Sequence, residues 1–298
     1  MNSGLLLIDK PSGLTSFAVV RRARKMLKVR KVGHLGTLDP FATGLLPLCL
    51  GEATKLTPFL MGEPKTYRAT LKLGEETDTQ DLTGEIVAKS EELPAAAEIH
   101  QVALRFVGEL MQVPPMYSAV HHQGERLYKL ARRGEQVVRE PRQVIIHELE
   151  VEEVALPLVT IRVTCSTGTY IRTLAADLGV ALGCGAHLTT LRRLAVGSFK
   201  LEAALPLDGL AEMVSLGKLA ERLISLADCL PRLRPLEVGP GEAQRLKQGQ
   251  AVPCPENGLG EAEQVKVLAG GELIAVAMVR RDSQGSRIAP TRVFARTV

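Results

Sequence analysis

The order of strand-like and helix-like segments constrains the fold of this chain more than any other feature. Short apolar or alternating runs, typical of β-strands, stand at 5–8, 45–50, 67–73, 144–154, 159–165 and 188–196. Helical patterns lie among them at 16–27, 52–60, 95–107, 169–182 and 211–226, without the regular alternation of βαβ units. The sequence therefore predicts an α+β fold rather than a doubly wound parallel sheet.

The character of the chain changes after a proline-containing linker at 230–235. Beyond the linker, glycines punctuate short strand-like runs such as 265–268 and 273–279, a pattern typical of a small β-barrel. We therefore expect two domains, spanning residues 1–231 and 232–298.

Composition excludes several classes of protein. The chain has 298 residues, 45% of them hydrophobic, and a net charge of +4, as expected for a globular protein with a mildly basic surface. No apolar run is long enough to span a membrane, and the N-terminus carries no export signal, so we expect a cytoplasmic protein. Five widely spaced cysteines without a C-x-x-C pair indicate reduced, mostly buried thiols rather than disulfides or a zinc site.

Positive charge gathers in front of a single acid near the N-terminus. From Lys10 to Leu38 there are eight Lys or Arg and no Asp or Glu, and seven of the eight fall within 21–31. Arg21, Arg22, Arg24, Lys25 and Lys28 lie on one face of a predicted helix that Thr15 or Ser16 caps. Its apolar face is expected to carry Phe17, Val20, Ala23 and Leu27. Without interspersed acids, such a cluster favours phosphate neutralisation over a solvated helix face.

Asp39 follows this cluster in a loop, Gly33–Gly44, whose glycines allow tight bending and the approach of a bulky ligand. An ionised aspartate is either a nucleophile or base, or simply the start of an Asp-Pro turn. Arg172 either pairs with such a carboxylate or contacts a phosphate. Tyr67 and Tyr170 either stack on a base or pack in the core, and His34 either stacks or stabilises its loop.

Familiar catalytic signatures are missing from the sequence. It contains no phosphate-binding P-loop, no dinucleotide-binding glycine motif after a strand, no H-E-x-x-H and no G-x-S-x-G. Nucleotide hydrolysis, dinucleotide redox chemistry, zinc proteolysis and serine hydrolysis therefore lack their usual residues.

Several motifs, in order along nearly the whole chain, resemble those of bacterial TruB-type tRNA pseudouridine-55 synthases. They are the opening Leu6–Gly13, the Gly33–Gly44 loop, Lys65–Arg68, Pro114–Ala119 with Gly124–Arg132, Cys165–Arg172, and Gly185–Arg193. The combination is specific, although each piece alone is weak. One departure is His121, which stands where this family is expected to have a lysine that contacts RNA.

The resemblance implies a pseudouridine synthase-type mixed or antiparallel sheet with flanking helices, an RNA-gripping thumb at about 111–135, and a C-terminal PUA-like barrel. It implies cleavage of the C1′–N bond of uridine 55 in the T-loop of tRNA, rotation of the uracil, and formation of a C1′–C5 bond. It also implies catalytic roles for Asp39, Tyr67 and Arg172. The substrate-binding residues that it implies are His34, Tyr67, Tyr170, Leu191 and Lys10.

The resemblance further implies that no cofactor or metal is needed and that the partner is tRNA, with its T-arm at the site and its acceptor stem on the C-terminal domain. We expect a monomer with no obligate protein partner and no membrane contact. Three alternatives stay open: a non-catalytic tRNA-binding or tRNA-folding protein, a relative acting within a guide-RNA complex, and a small-molecule hydrolase with an aspartate nucleophile. The last leaves the basic cluster unexplained.

Overall fold

The computed structural model describes residues 3–255, 258–283 and 285–294. Its strands are β1 Gly4–Lys10, β2 Val32–His34, β3 Thr43–Leu50, β4 Lys65–Leu73, β5 Glu75–Thr77, β6 Ile86–Lys89, β7 Gly108–Gln112, β8 His121–His122, β9 Glu125–Arg126, β10 Arg142–Ala155, β11 Leu158–Cys165, β12 Ala186–Val196, β13 Phe199–Lys200, β14 Leu205–Pro206, β15 Leu223–Ile224, β16 Arg234–Glu237, β17 Val252–Pro253, β18 Gln264–Ala269, β19 Glu272–Asp282 and β20 Gly285–Val293. Its α-helices are α1 Ser16–Leu27, α2 Thr57–Leu60, α3 Ala96–Leu104, α4 Leu127–Arg132, α5 Ile171–Ala181, α6 Leu210–Ser215 and α7 Pro240–Lys247. Short 3-10 turns span Gly51–Leu56, Leu201–Ala203, Leu207–Gly209 and Leu219–Arg222.

The larger sheet holds eleven strands, with the main order β14-β1-β3-β12-β4-β11-β10-β7. Neighbours β3 and β12 run parallel, whereas the pairs from β12 through β4, β11 and β10 to β7 are antiparallel. Alternate residues of β4 are buried, as the period of a strand with one face on the core requires. This mixed, mainly antiparallel sheet confirms the α+β prediction.

Two apolar layers cover the sheet. Helix α1 packs on β1 and β3 through residues such as Val19, Ala23 and Leu48. Helices α3 and α5 pack on β4, β10, β11 and β12 in a second cluster, which also includes Leu38 and Ala42 of the loop after β2. The Asp39 loop is therefore anchored in the second layer while α1 belongs to the first.

The C-terminal sheet has five strands in the order β16-β18-β19-β20-β17, and with α7 it encloses its own core. Leu273, Val276 and Phe294 from this sheet share one apolar cluster with Leu56 and Leu60 of the larger unit. At its edge, Lys55 Nζ donates to the Val293 carbonyl at 3.0 Å. Burial of apolar surface therefore fixes the C-terminal sheet against the rest of the chain.

The prediction of a helix over 211–226 is wrong in its length. Helix α6 ends at Ser215, and Gly217 adopts a left-handed φ of +69°, which stops a helix. Leu223 and Ile224 then pair with Leu6 and Leu5 of β1. Pairing with a sheet edge, together with the glycine, overrides the helical pattern here.

The acidic and polar residues at 74–84 are typical of a loop, and that interpretation is wrong in part. Residues Glu75–Thr77 form β5 and pair with β6 as a two-stranded hairpin. Ahead of it Gly74 has a φ of +84°, and after it Asp81 bridges to Leu188 of β12. The acidic composition masked a short strand in which Glu75 and Glu76 are half-buried and Thr77 is buried.

Phe17 was expected on the apolar face of α1, and this placement is wrong. Its side chain is 69% exposed, whereas Ser16, Val19 and Ala23 are buried. Ser16 takes the inward position because its hydroxyl bonds the Asp39 loop, which rotates Phe17 by about 100° toward solvent. Thr15 caps the helix as predicted, accepting from Ala18 N at 3.0 Å.

Candidate active site

The loop between β2 and β3 is pinned immediately before Asp39. Ser16 Oγ accepts from Leu38 N at 2.8 Å and donates to Leu38 O at 3.1 Å, so the first turn of α1 holds the loop. The Ala42 amide donates back to the Asp39 carbonyl at 3.1 Å, closing the turn. The side chain of Asp39 is thereby presented from a fixed backbone and remains 33% exposed.

Gly44 allows this loop to enter the sheet. It has a φ of +100°, and a Cβ there would overlap the backbone of Arg193 in β12. Only glycine combines that conformation with so close an approach of two strands. The glycine thus fixes where the Asp39 loop meets β12.

Arg172 makes a bidentate pair with Asp39. Its Nε donates to Asp39 Oδ2 at 2.9 Å and its Nη2 to Oδ1 at 3.3 Å. Nη1 also donates to the Thr79 carbonyl at 3.1 Å, and Nη2 to the Tyr117 carbonyl at 2.7 Å. The side chain is only 3% exposed, so pairing with the carboxylate is the alternative that the structure adopts.

Asp81 is a second carboxylate at this arginine, and the sequence reasoning missed it. Its Oδ2 lies 3.6 Å from Arg172 Nε, and its Oδ1 accepts from Thr79 Oγ1 and Thr83 N at 2.9 Å each. The available signal was an aspartate flanked by two threonines within Thr79–Thr83. Asp81 thus places a second carboxylate near Arg172 Nε, the atom that also donates to Asp39 Oδ2.

Burial raises the pKa of Asp39 above its ordinary value. The Arg172 guanidinium opposes that rise, the nearby Asp81 carboxylate adds to it, and Lys10 lowers it again. A desolvated carboxylate is a stronger base and nucleophile than a hydrated one, and the Arg172 charge favours its ionised form and orients it. The arrangement suits catalysis by a carboxylate.

Lys10 lies at the end of β1 with its side chain fully buried. Its ammonium donates to the carbonyls of Ala42 at 2.6 Å, Pro11 at 2.9 Å and Pro40 at 3.2 Å. Burial lowers its pKa to about 8, while Asp39 opposes that change. This geometry holds the two ends of the Asp39 turn and uses all three ammonium hydrogens on protein carbonyls.

Tyr67 and Leu191 face the same apolar cluster as Leu38. Tyr67 is 7% exposed on β4, and it pairs in register with Arg193 of β12. Burial raises the pKa of Tyr67, and Arg193 opposes the rise, so its phenol stays protonated at neutral pH. The three side chains make an apolar wall that carries one hydroxyl.

Arg193 is fully buried behind Tyr67, although the sequence analysis gave it no role of its own. Its Nε donates to the Leu45 carbonyl at 2.7 Å and its Nη2 to the Gly36 carbonyl at 3.0 Å. Within the described residues it forms no ion pair. The guanidinium therefore ties both arms of the Asp39 loop to β12.

His34 begins the loop at the end of β2, and its ring is half-buried. Among the described residues, its Nδ1 is buried without a hydrogen-bond partner. Burial lowers the pKa of His34, and the Arg193 charge lowers it further, so the ring is neutral at pH 7.

Tyr170 immediately precedes α5, and Gln112 holds its backbone. Gln112 Nε2 donates to the Tyr170 carbonyl at 3.1 Å, and the Tyr170 amide donates to Gln112 Oε1 at 2.8 Å. Burial raises the pKa of the Tyr170 phenol. Gln112, which the sequence reasoning also missed, thus joins the end of β7 to the helix that carries Arg172.

The segment at about 111–135, where the resemblance implies a thumb, contains the short helix α4 together with the hairpin β8–β9. The guanidinium carbon of Arg132 lies 5.6 Å from the centre of the Tyr128 ring. Arg126, Lys129 and Arg132 are exposed, as is His121 on β8. The carbonyl of Tyr117, near the base of this segment, accepts from Arg172, so the segment is joined to the Asp39 pair.

The five cysteines are free and four are buried, which confirms that prediction. Across residues 3–255, 258–283 and 285–294, no helix is long and apolar enough to cross a membrane. In the same part of the chain, no three His, Cys, Asp or Glu side chains gather as metal ligands.

Solved structures share this fold over nearly the whole chain. "Structure of H/ACA RNP bound to a substrate RNA containing 2′-deoxyuridine" matches with a TM-score of 0.75 and 26% identity, covering 98% of this chain and 85% of that one. "Crystal Structure of a Cbf5-Nop10-Gar1 Complex" matches with a TM-score of 0.74 and 28% identity over the same shares. The chain therefore shares its fold with a protein of each of these two complexes.

The sequence comparisons give the family. The profile of the TruB family pseudouridylate synthase N-terminal domain matches residues 24–171, and that of the tRNA pseudouridylate synthase B C-terminal domain matches 172–238. A tRNA pseudouridine synthase B of Geobacter sulfurreducens is 46% identical and covers 92% of each chain. One of Thiobacillus denitrificans is 44% identical, covering 98% of this chain and 96% of its own length. The chain belongs to the TruB family of pseudouridylate synthases.

Proposed function

We propose that this enzyme converts uridine 55 in the T-loop of tRNA to pseudouridine, with Asp39 as the catalytic carboxylate. The observation that carries the proposal is the Asp39–Arg172 pair at 2.9 Å in a chain whose relatives are named tRNA pseudouridine synthase B. The mildly basic charge and the acid-free 10–38 segment support an RNA substrate.

The proposed reaction is an isomerisation. The C1′–N1 bond of uridine breaks, the uracil turns within the pocket, and C5 bonds to C1′. The proton on C5 is released and N1 gains one, so no oxidant, reductant or group donor is consumed. Asp39 either attacks C1′ or removes the C2′ proton, and both routes require its ionised form. We propose that neither a metal nor a cofactor takes part.

Each residue around the pocket has a separate role in the proposed reaction. Arg172 holds the carboxylate through two hydrogen bonds. Tyr67 stacks on the target base and assists proton transfer, since its protonated phenol sits in the apolar wall with Leu191. Tyr170 lines the opposite side, and the neutral ring of His34 fills the space that the flipped base leaves in the RNA.

Lys10 is assigned a positioning role. The sequence resemblance implied substrate contact, yet its ammonium bonds the carbonyls of Pro40 and Ala42, at either side of the Asp39 turn. A buried ammonium with all its hydrogens used has none left for RNA. We therefore infer that Lys10 acts on the substrate only through the loop.

RNA is held by surfaces around the pocket. Extruding a base costs a few kcal/mol, which phosphate contacts offset. We propose a catalytic domain at 1–231, with the thumb at about 111–135 gripping the T-arm, and a PUA-like domain at 232–298 holding the acceptor stem. His121 replaces one expected cationic contact in the thumb. We further propose a cytoplasmic monomer that needs no protein partner.

The experiment measures tritium release from tRNA labelled at uracil C5, with excess EDTA. Release from the unmodified transcript, and none from a transcript with cytidine at position 55, is the expected result. Equal release from both transcripts would contradict the position of the target. Release that requires a metal would contradict the metal-free chemistry.

A second candidate is a tRNA-binding or tRNA-folding protein that works independently of catalysis. The exposed basic residues at 21–31 favour it, because they would bind RNA whether or not Asp39 reacts. The two structural neighbours are titled as complexes, which raises the guide-RNA alternative. Turnover of bare tRNA by the purified chain alone excludes that alternative.

A further inference from the structure

Helix α1 carries an exposed aromatic ring in line with exposed cations. Phe17 is 69% exposed, and Arg21 and Arg24 are exposed at the i+4 and i+7 positions from it. These spacings put the three side chains within about 60° of arc on one face of a helix. We call Phe17, Arg21 and Arg24 the Phe17 stripe. It is about 10 Å long.

The cations of α1 have no acidic partners. None of the seven Lys or Arg between Arg21 and Lys31 forms an ion pair with any residue that the structure describes. Helix-dipole compensation accounts only for the last turn, with Arg24 and Lys25. An exposed ring alone is ordinary, but a ring aligned with unpaired guanidinium groups matches a surface for single-stranded nucleic acid.

The Phe17 stripe begins beside the active site. Ser16, the neighbour of Phe17, is bonded through its hydroxyl to Leu38, the neighbour of Asp39. From there α1 runs over β1 and β3, whereas the thumb follows β7 at the other edge of the sheet. Six strand spacings separate β1 from β7, which is about 29 Å. The start of the stripe lies at the Asp39 loop, whereas Arg24 lies two helical turns further along α1. RNA on the stripe therefore extends beyond the nucleotide at Asp39.

We propose that the Phe17 stripe is a second RNA-binding surface, for unpaired nucleotides of the substrate tRNA that lie outside its T-arm. Phe17 stacks on one base, and Arg21 and Arg24 neutralise phosphates of the same strand. Base–aromatic stacking tolerates any base, so this surface adds affinity without reading sequence. The inference rests on the proposed function for the identity of the RNA.

The chain contains no tryptophan, so Phe17→Trp introduces a single fluorophore at the stripe. Within an Asp39→Asn chain, full-length tRNA transcript is expected to quench this tryptophan, whereas a T-arm hairpin binds without quenching. Leu104→Trp is the matched control, since Leu104 is 68% exposed at the end of α3. Absence of quenching by tRNA, equal quenching by the hairpin, or equal quenching of Leu104→Trp would each overturn the proposal.

A second measurement tests the ring and the cations by affinity. Phe17→Ala is expected to weaken tRNA binding about 10-fold and leave hairpin binding unchanged. Arg24→Gln is expected to reduce the slope of log Kd against log salt by about 0.7, while Arg105→Gln, beside α3, leaves it unchanged. Equal slopes of log Kd against log salt for Arg24→Gln and Arg105→Gln would overturn the proposal that Arg24 contacts RNA phosphates. Tritium release by the parent enzyme tests the proposed function without the Phe17 or Arg24 substitution. It therefore distinguishes failure of the second RNA-binding surface from failure of the proposed function.

Discussion

Asp39 and Arg172 meet through two hydrogen bonds across 133 positions of sequence, from a loop after β2 to the first turn of α5. The same guanidinium bonds the carbonyls of Thr79 and Tyr117, so one side chain joins four segments of the chain. Because it is buried, each of these bonds is formed in a low dielectric and resists competition from water. The geometry of the carboxylate therefore depends on this single arginine.

Replacing Arg172 with lysine keeps the charge and removes the forked geometry. We expect kcat/KM to fall at least about 100-fold and the free energy of unfolding to fall by about 2 kcal/mol, from the lost bonds to charged groups. Arg192→Lys is the matched control, since Arg192 pairs with Asp9 at 2.7 Å but its side chain is 41% exposed. Equal effects of the two substitutions on turnover would show that burial of the pair does not matter.

The pH dependence follows from the raised pKa of Asp39. The reaction needs the ionised form, so the single-turnover rate is expected to rise with pH through that pKa and then level off. The midpoint should lie above 3.8, the ordinary value for aspartate. The measurement is the pH–rate profile with saturating RNA. A midpoint at or below 3.8 would contradict desolvation as the dominant influence.

Lys10 gives a prediction that separates positioning from substrate contact. Lys10→Met leaves the carbonyls of Pro40 and Ala42 without donors, so we expect a cost of about 1–3 kcal/mol in stability. The turnover number should fall while Kd for tRNA stays the same, because the change acts through the Asp39 turn. Steady-state kinetics and a binding isotherm measure the turnover number and the Kd for tRNA. Weaker tRNA binding with an unchanged turnover number would show that Lys10 contacts the substrate.

Gly44 should tolerate no side chain. Gly44→Ala places a Cβ against the Arg193 backbone, whereas Gly13, with a φ of +82°, has open space around it. Gly13→Ala is expected to cost about 1–2 kcal/mol from the left-handed backbone alone. Gly44→Ala should cost at least about 2 kcal/mol more, by overpacking, as chemical denaturation would measure. Similar costs would show that β3 can move away from β12.

The sequence predicted the long strands well because alternation and apolar runs report burial directly, as in β4, β10 and β11. The sequence-based prediction was wrong where a residue distant in sequence determines the local structure. Leu223 and Ile224 become a strand because β14 pairs only with Ile8 and Asp9 of β1 and leaves Leu5 and Leu6 open to pairing. Phe17 turns outward because Ser16 bonds Leu38. Neither partner is visible from local spacing.

For the site, motif order indicated Asp39 and Arg172, whereas the supporting residues were hidden. Gln112 and Arg193 bond backbone groups far away in sequence, which leave no local pattern, and Asp81 faces the distant side chain of Arg172. The family resemblance grouped Lys10 with the substrate contacts. Its complete burial, which only the folded chain reveals, points to the loop instead.

The most direct test of the account is single-turnover tritium release by the Asp39→Asn enzyme, with its tRNA affinity and thermal stability measured alongside. The pKa of Asp39 is raised in the folded chain, so its charge opposes folding increasingly as the pH rises above 3.8. We therefore predict no release, unchanged affinity, and an equal or higher Tm at pH 7. Release at the parent rate would contradict the assignment of Asp39 as the catalytic carboxylate.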